Sequence, residues 1–229
     1  MANKINIIIV TYNSGKTIKN CLDSIIKTSK SCDKITVVDN NSKDNTIQIL
    51  NNFPITRINN KTNLGFSRAV NQGFDKNYNF TLLLNPDTIV FNGWRKNLIL
   101  KFKKGNVGAV GPISNWAGGK QNAYHFIKEN EKINFKNAAK KNKYKFFEKF
   151  ANDILSSKKT SINTKLLTGF CLLISTSVFE KINLLDEKLF LGMDDLDLSW
   201  RLRLHNYTLK ISTNTFVYQY DSGGNPEYY

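Results

Sequence analysis

Ile5-Asn6-Ile7-Ile8-Ile9-Val10, followed at once by Thr11-Tyr12-Asn13, is the stretch that decides how the rest of the sequence is read. It is an aliphatic run of strand length that ends abruptly in polar residues. A strand that is apolar on both sides of its pleat has to be covered on both faces. The residues that follow repeat the pattern. Lys16–Ser29 sets Ile18, Cys21, Leu22, Ile25 and Ile26 at helical spacing, Ile35–Val38 is a second strand, and Asp44–Leu50 is a helix. Ile55–Ile58 then reads as a strand, Phe66 to Lys76 as a helix and Phe80–Leu84 as a strand. This alternation predicts an α/β fold with a doubly wound, mostly parallel sheet.

In such sheets ligands bind beyond the carboxyl ends of the strands. The segments found there are Thr11-Tyr12-Asn13, Asp39-Asn40-Asn41-Ser42 and Asn85-Pro86-Asp87, all rich in hydrogen-bonding side chains. A dinucleotide fingerprint, GxGxxG after the first strand, is absent. Gly15-Lys16-Thr17 resembles the tail of a phosphate-binding loop, but the leading glycine of that pattern would fall at Val10, inside the strand.

The chain has 229 residues, 33 Lys+Arg against 18 Asp+Glu, and a formal charge of +15. Its apolar fraction of 41% and aromatic fraction of 12% are those of a folded protein rather than a basic tail. Lysine accounts for 28 of the basic residues and arginine for 5, beside 31 asparagines. That balance points to a compositional background more than to phosphate recognition, which favours the bidentate arginine fork. No nucleic-acid-binding motif accompanies the charge, so a nucleic-acid partner is not expected. The excess is also local, because Lys120 to Lys165 holds 12 Lys and 4 acids.

Three cysteines, Cys21, Cys32 and Cys171, have no metal-ligand spacing and leave one over, which argues for free thiols in a reducing compartment. No run is long enough to span a bilayer and no signal peptide is recognisable. The expectation is a cytoplasmic protein, with peripheral contact at the inner face of the cell membrane the one membrane role left open. Only His125 and His205 are available to mechanisms that need histidine.

Residues 118–165 interrupt the alternation. Phe146, Phe147 and Phe150 lie among lysines at helical spacing, which fits either a solvated helix with its apolar face on the core or a surface for membrane or acceptor. An apolar strand, Leu166–Ser175, a helix from Ser177 to Lys181 and a helix from about Asp194 complete the pattern. In the last helix Leu198, Leu202 and Leu204 are expected to point inward. With no internal repeat or low-complexity linker, the chain reads as one domain, 1–229, in three stretches: 1–117, the basic insertion 118–165, and 166–229.

Two acidic features carry chemistry. Asp87 stands at the mouth of the fourth strand, where Pro86 ends the ladder. It is either part of a shell for Mg²⁺ or Mn²⁺, ions that keep waters and take substrate phosphate oxygens, or a turn aspartate bonded to its own backbone. Asp194, Asp195 and Asp197 crowd a helix start. Capping explains one or two of them, and the cluster suits a general base acting on a hydroxyl.

Taken in order, Ile-Ile-Val-Thr-Tyr-Asn (8–13), Val-Val-Asp-Asn-Asn-Ser-Lys-Asp-Asn-Thr (37–46), Thr-Asn-Leu-Gly-Phe-Ser-Arg-Ala-Val-Asn-Gln-Gly (62–73), Leu-Leu-Asn-Pro-Asp-Thr (83–88) and Met-Asp-Asp-Leu-Asp-Leu (193–198) resemble the family 2 glycosyltransferases. The bacterial rhamnosyltransferase-like branch, which builds surface polysaccharides, is the most similar. The resemblance implies a GT-A fold, a nucleoside-diphosphate sugar donor, dTDP-rhamnose by branch, a divalent cation, and inverting transfer to a glycan or lipid-linked glycan acceptor. It implies that Thr11, Tyr12, Asn13, Asp39 and Asn40 line the nucleoside pocket and that Asn63, Gly65, Arg68 and Asn71 lie along the donor. Asn85-Pro86-Asp87 stands for the family's DxD element, so Asp87 would hold Mg²⁺ or Mn²⁺ and Asn85 would contact ribose or a metal-bound water. Asp195 would be the base, with Asp194 and Gly169 on the acceptor side. Two departures from the family pattern stand out. Gln219 occupies the place of a late metal-binding histidine, which leaves open a catalytically impaired nucleotide-sugar binder. The sequence given also stops at Tyr229, before the point many relatives reach, so it is either a compact member or lacks a C-terminal acceptor or membrane segment.

Overall fold

A computed structural model describes residues 3–141, 143–157 and 160–220. Its first half follows the expected alternation: β1 (Ile5–Thr11), α1 (Ile18–Thr28), β2 (Lys34–Asp39), α2 (Thr46–Leu50), β3 (Thr56–Asn59), α3 (Phe66–Gly73) and β4 (Phe80–Leu84). The order β3-β2-β1-β4 is parallel throughout. The aliphatic run of β1 explains itself here. Ile5, Ile7 and Ile9 belong to one core with Ile18, Leu22 and Ile25 of α1, whereas Ile8 joins the other core with Val70 of α3. Period-2 alternation thus feeds two hydrophobic layers at once. Ile26 of α1 is the exception to the predicted stripe and stays exposed.

Beyond β4 the chain adds β5 (Thr88–Val90), α4 (Trp94–Leu100), β6 (Val107–Ser114), α5 (Lys132–Lys140), α6 (Tyr144–Leu155), β7 (Ile162–Thr164), β8 (Cys171–Ser175), α7 (Thr176–Lys181), α8 (Asp194–Leu204) and β9 (Thr208–Gln219). β8 joins β4 antiparallel and carries the sheet on through β6, β9 and β5, with β7 on β9. The described strands form one nine-stranded sheet, and they support the α/β class and the GT-A fold.

The apolar run at 166–175 is shorter as a strand than its composition predicts. Only Cys171–Ser175 pairs with β4. The backbone N–H groups of Leu167, Thr168 and Gly169 donate instead to Ser199, Gln121 and Asp195 side chains, which draws this stretch out of the ladder.

The basic insertion is built on the core. Phe147 is fully buried and stacks on Phe216 of β9 with ring centroids 5.5 Å apart. Phe135 meets Phe147 edge-on at 5.2 Å, and Phe146 and Phe150 pack around them. Burial of one such ring contributes about 1.5–3 kcal/mol, enough to fix the orientation of α6. The aromatics are therefore the apolar face of a core-packed helix, while Lys141, Lys143, Lys145 and Lys149 are exposed. Among the described residues no helix is long and apolar enough to cross a membrane.

Candidate functional site

The site is assembled at the carboxyl ends of β1, β2 and β4. After β1 and β2 the two polar loops are tied to each other. Asp39 Oδ1 accepts from Thr11 Oγ1 at 2.8 Å and from Ser42 Oγ at 2.5 Å, and Oδ2 accepts from Ser42 N at 2.9 Å. Asn13 N donates to Ser42 Oγ and Asn13 Oδ1 accepts from Lys43 N. Asn13 and Asn41 have φ of 49° and 66°, left-handed conformations that asparagine tolerates. Asp39 is buried, so its carboxylate shapes the loop in which half-buried Tyr12 and Asn13 stand.

Asn40, equally buried, donates from Nδ2 to Gly65 O at 3.1 Å. Asn63 Oδ1 accepts from Gly65 N at 3.0 Å. Gly65 has φ of 83°, and a Cβ there would lie 2.5 Å from Phe190 O. Phe66 N donates to that same carbonyl at 2.8 Å. The segment before α8 therefore lies directly across the start of α3. Asn71 and Arg68 also turn to this segment. Asn71 bonds Leu185 in both directions and Glu187 Oε1, and Arg68 Nε lies 3.5 Å from Glu187 Oε2. The amide of Asn71 is occupied by the protein.

At β4, Asn85 N donates to Phe170 O, and Thr88 Oγ1 donates to Asn85 O, closing the Asn-Pro-Asp-Thr turn. Asp87 is held at the turn by Tyr220 N, which donates to its carbonyl at 2.9 Å. Gln219 Nε2 donates to Asp87 Oδ2 at 3.4 Å, and Asp87 Oδ1 is buried without a partner. Burial pushes the Asp87 carboxyl up to about 6, opposed by the bond from Gln219. A buried carboxylate oxygen with no donor is the feature a cation would satisfy. The residues present fit a Mg²⁺ or Mn²⁺ ion held by Asp87, with Gln219 adjacent. Among the described residues no cluster of three His, Cys, Asp or Glu could hold a metal alone, so other oxygens must come from water or ligand.

Sequence reasoning passed over the residue that positions Gln219. Asn115, buried at the end of β6, donates from Nδ2 to Gln219 O and accepts at Oδ1 from Gln219 N, both at 2.8 Å. A polar residue just past a buried strand was the available signal. Gln121 was missed as well. Its Oε1 accepts from Thr168 N and Oγ1, and its Nε2 donates to Pro112 O, pinning the loop before Gly169.

Gly169 joins the acids to the Asp87 turn. Its N–H donates to Asp195 Oδ2 at 3.3 Å, while the next residue, Phe170, accepts from Asn85 N. Asp195 Oδ1 also accepts from Leu196 N at 2.7 Å, so two backbone groups orient the carboxylate. A Cβ on Gly169 would lie 3.6 Å from Asp194 Oδ2. Burial, together with the charges of Asp195 and Asp197, raises the Asp194 carboxyl against its backbone hydrogen bonds. The third acid is spent structurally: Arg201 Nη2 lies 2.6 Å from Asp197 Oδ2, and Arg201 Nη1 donates to the carbonyls of Ile182 and Leu184. Beside Gly169 a groove of about 630 Å³ opens between residues 118–121 and 163–168, with Lys120 and Lys165 on its walls.

Leu198 and Leu202 of α8 face the core, as the sequence predicts, but Leu204 is 64% exposed. Cys21 and Cys171 are buried free thiols; burial pushes the Cys21 thiol up to about 12 and raises that of Cys171 as well. Neither is a nucleophile. The Gly/Ser-rich segment that follows Gln219, Asp221-Ser222-Gly223-Gly224, lies outside the described residues.

The family model Glycosyl transferase family 2 matches residues 6–182. The chain is 35% identical over 91 residues to the O-antigen chain rhamnosyltransferase RfbN of Salmonella typhimurium, covering 38% of this chain and 27% of that protein. It is 31% identical over 77 residues to the uncharacterized glycosyltransferase YibD of Escherichia coli, covering 32% and 22% respectively. The matched stretches thus span about a quarter of each relative. Among solved structures it is similar to GalNAc-T7 with UDP, GalNAc and Mn²⁺ (TM-score 0.69, 15% identity, 95% of this chain and 44% of that one). It is also similar to the mannosyltransferase PcManGT from Pyrobaculum calidifontis in complex with GDP-Man and Mn²⁺ (0.64, 15%, 94% and 56%). Staphylococcus aureus TarS 1–349 in complex with UDP-GlcNAc gives 0.66 at 16% identity, covering 95% and 58%. The chain belongs to glycosyl transferase family 2.

Proposed function

We propose that this family 2 chain is an inverting glycosyltransferase. It moves a sugar from a nucleoside-diphosphate donor, dTDP-rhamnose by its likeness to the rhamnosyltransferase, onto a growing, lipid-linked surface polysaccharide. The observation that carries this reading is the orphaned, buried Oδ1 of Asp87, on a turn that shares residues 169–170 with the paired acids of α8.

Asp87 would hold Mg²⁺ or Mn²⁺ beside Gln219. When bound, the cation offsets the negative charge that develops on the departing diphosphate. The residues of the chain do the rest. Thr11, Tyr12, Asn13, Asp39 and Asn40 shape the nucleoside end, and Asn63 and Gly65 hold the backbone along the donor, with Arg68, Asn71 and Asn85 near it. Asp195, fixed by Gly169 N and Leu196 N, takes the proton of the acceptor hydroxyl. The hydroxyl oxygen bonds to the anomeric carbon on one face as the carbon–oxygen bond to the diphosphate breaks on the other, the electron pair leaving with the diphosphate. Asp194 contacts the acceptor, and its raised affinity for a proton fits donation of a hydrogen bond to it. The cytoplasm, at the inner face of the membrane, is the proposed location.

Thermal-shift screening of nucleoside diphosphates with and without Mn²⁺ tests the donor reading, because a ligand of the folded state raises the melting temperature. Donor turnover tests transfer. The weak pairing of Gln219 with Asp87 favours one rival, a nucleotide-sugar binder impaired in catalysis. Cation-dependent donor binding without hydrolysis or transfer would establish that rival.

A further inference from the structure

The groove of about 630 Å³ beside Gly169 has the volume of sites that enclose a small ligand. One wall is residues 118–121, in the loop after β6, and the other is residues 163–168, the end of β7 and the loop that follows it. The walls are bonded to each other. Gln121, 2% exposed, accepts at Oε1 from Thr168 N at 2.7 Å and from Thr168 Oγ1 at 3.1 Å, while its Nε2 donates to Pro112 O at 2.9 Å. β7 pairs antiparallel with β9, which fixes the second wall to the sheet. The groove is thus formed by the protein alone. Its opening depends on Gly118, whose φ of −72° is one that any residue adopts. A Cβ there would find only Thr168 Cγ2 within 4 Å, at 4.0 Å. Neither torsion nor a close neighbour calls for glycine, and a side chain at 118 would enter the space that Gly118 and Thr168 both line.

The charge of the groove has one sign. Lys120 and Lys165 stand on opposite walls, both exposed, and among the described residues neither ammonium is paired. Among the described residues none that lines the groove is acidic. The acids begin one residue beyond it. Thr168 is followed by Gly169, whose N–H donates to Asp195 Oδ2 and whose Cβ site lies 3.6 Å from Asp194 Oδ2. A ligand that fills the groove and continues past Thr168 therefore meets cations at one end and carboxylates at the other.

We propose that this groove binds a phosphate-bearing sugar of the acceptor, with the phosphate between Lys120 and Lys165 and the reacting hydroxyl presented at Asp195. Ammonium groups give phosphate charge-assisted hydrogen bonds. Two of them facing one space, with no carboxylate between to neutralise them, raise the local concentration of an anion. Leu166, 42% exposed, and the bare backbone of Gly118 offer apolar surface to the sugar ring. The phosphate belongs either to the head of a lipid diphosphate carrier or to the glycan itself, and both present the same group to the lysines. This deepens the transferase reading, on which the role of the bound sugar rests, by naming the chemical class of the acceptor.

The test is a binding titration of the full chain in EDTA, so that the cation-dependent donor end is not engaged. Two probes are used: a short alkyl diphospho-N-acetylglucosamine for the carrier head, and methyl glucoside 6-phosphate for a phosphate on the glycan. At least one should bind about tenfold more tightly than inorganic phosphate or methyl glucoside. Lys120→Gln with Lys165→Gln should weaken that binding at least about tenfold, and Gly118→Leu should do the same by filling the groove. Both variants should keep the parent melting temperature, since all three sites are exposed. Lys143→Gln with Lys145→Gln, an equal loss of charge elsewhere, should leave binding unchanged. Binding of one probe alone names the source of the phosphate and upholds the site. Binding of neither, equal affinity for a control ligand, or parent-like binding by either groove variant would overturn the proposal. Stabilisation by nucleoside diphosphates with Mn²⁺, and donor turnover, are measured on the same preparations. Donor binding and turnover without probe binding defeat the groove alone, and probe binding without either defeats the transferase alone.

Discussion

The carboxylate of Asp87 meets the side-chain amide of Gln219, Nε2 donating to Oδ2 at 3.4 Å, and its other oxygen is buried with no partner. This pair brings together residues 132 positions apart. Replacing Asp87 by Asn should abolish cation-dependent stabilisation by nucleoside diphosphates and lower turnover by at least about a hundredfold. Gln219→His should keep donor binding and shift the preference toward Mn²⁺ over Mg²⁺, because imidazole suits transition ions. A metal titration of both variants by thermal shift checks the pair.

The same carboxyl gives a pH signature. Burial raises Asp87 to about 6 in the fold, above its ordinary value of 3.8. The folded protein then holds this proton more tightly than the unfolded chain, so the associated stability is present in full below the ordinary value and is lost as pH rises through about 6. Without a cation, Asp87→Asn should be more stable than the parent above that pH, by on the order of 3 kcal/mol. Denaturant melts at pH 5 and pH 8 measure the difference, which should shrink at the lower value.

Asp195 accepts from Gly169 N, and Asp194 Oδ2 faces the space where a Cβ on that glycine would lie, yet the two acids should fail differently. Asp195→Ala is expected to lower kcat by about 10²–10⁴ with donor affinity unchanged, as removal of a base acts on the chemical step. Asp194→Ala should chiefly raise KM for the acceptor. Steady-state kinetics in both substrates distinguishes the two acids, and an equal loss of donor binding in both would contradict these roles.

Gly65→Ala should destabilise the fold by about 2–4 kcal/mol. The position combines a φ of 83° with a Cβ site 2.5 Å from the backbone oxygen of Phe190, so neither torsion nor neighbour can yield cheaply. Equilibrium urea unfolding measures the loss. Donor binding should fall with it, because Asn40 and Asn63 both hold this glycine.

Arg95 and Asp33 form a buried fork, with Nε to Oδ2 at 2.6 Å, Nη2 to Oδ1 at 2.7 Å, and side chains 10% and 0% exposed. Asp33→Ala should cost about 3–5 kcal/mol by leaving a buried guanidinium unpaired. Adding Arg95→Met should recover much of that loss. A double-mutant cycle in denaturant tests it.

The sequence by itself determined the parallel half and the polar segments at its strand ends. An aliphatic run such as Ile5–Val10 can only be a strand covered on both faces, and Pro86 must stop β4 before Asp87. Local chemistry sufficed there because covalent geometry and period-2 alternation act within a few residues. Only the tertiary structure decided the rest. It set Gln219 against Asp87, turned Asn71 to the segment 185–187, removed Asp197 from the acid cluster by pairing it with Arg201, and left Leu204 outside with Trp200. The 166–170 stretch left the ladder for the same reason, its N–H groups being claimed by side chains from distant elements. α8 shows why sequence periodicity falls short at such places. A helix with leucines on both faces offers no single apolar side, and which face is buried depends on the sheet it meets.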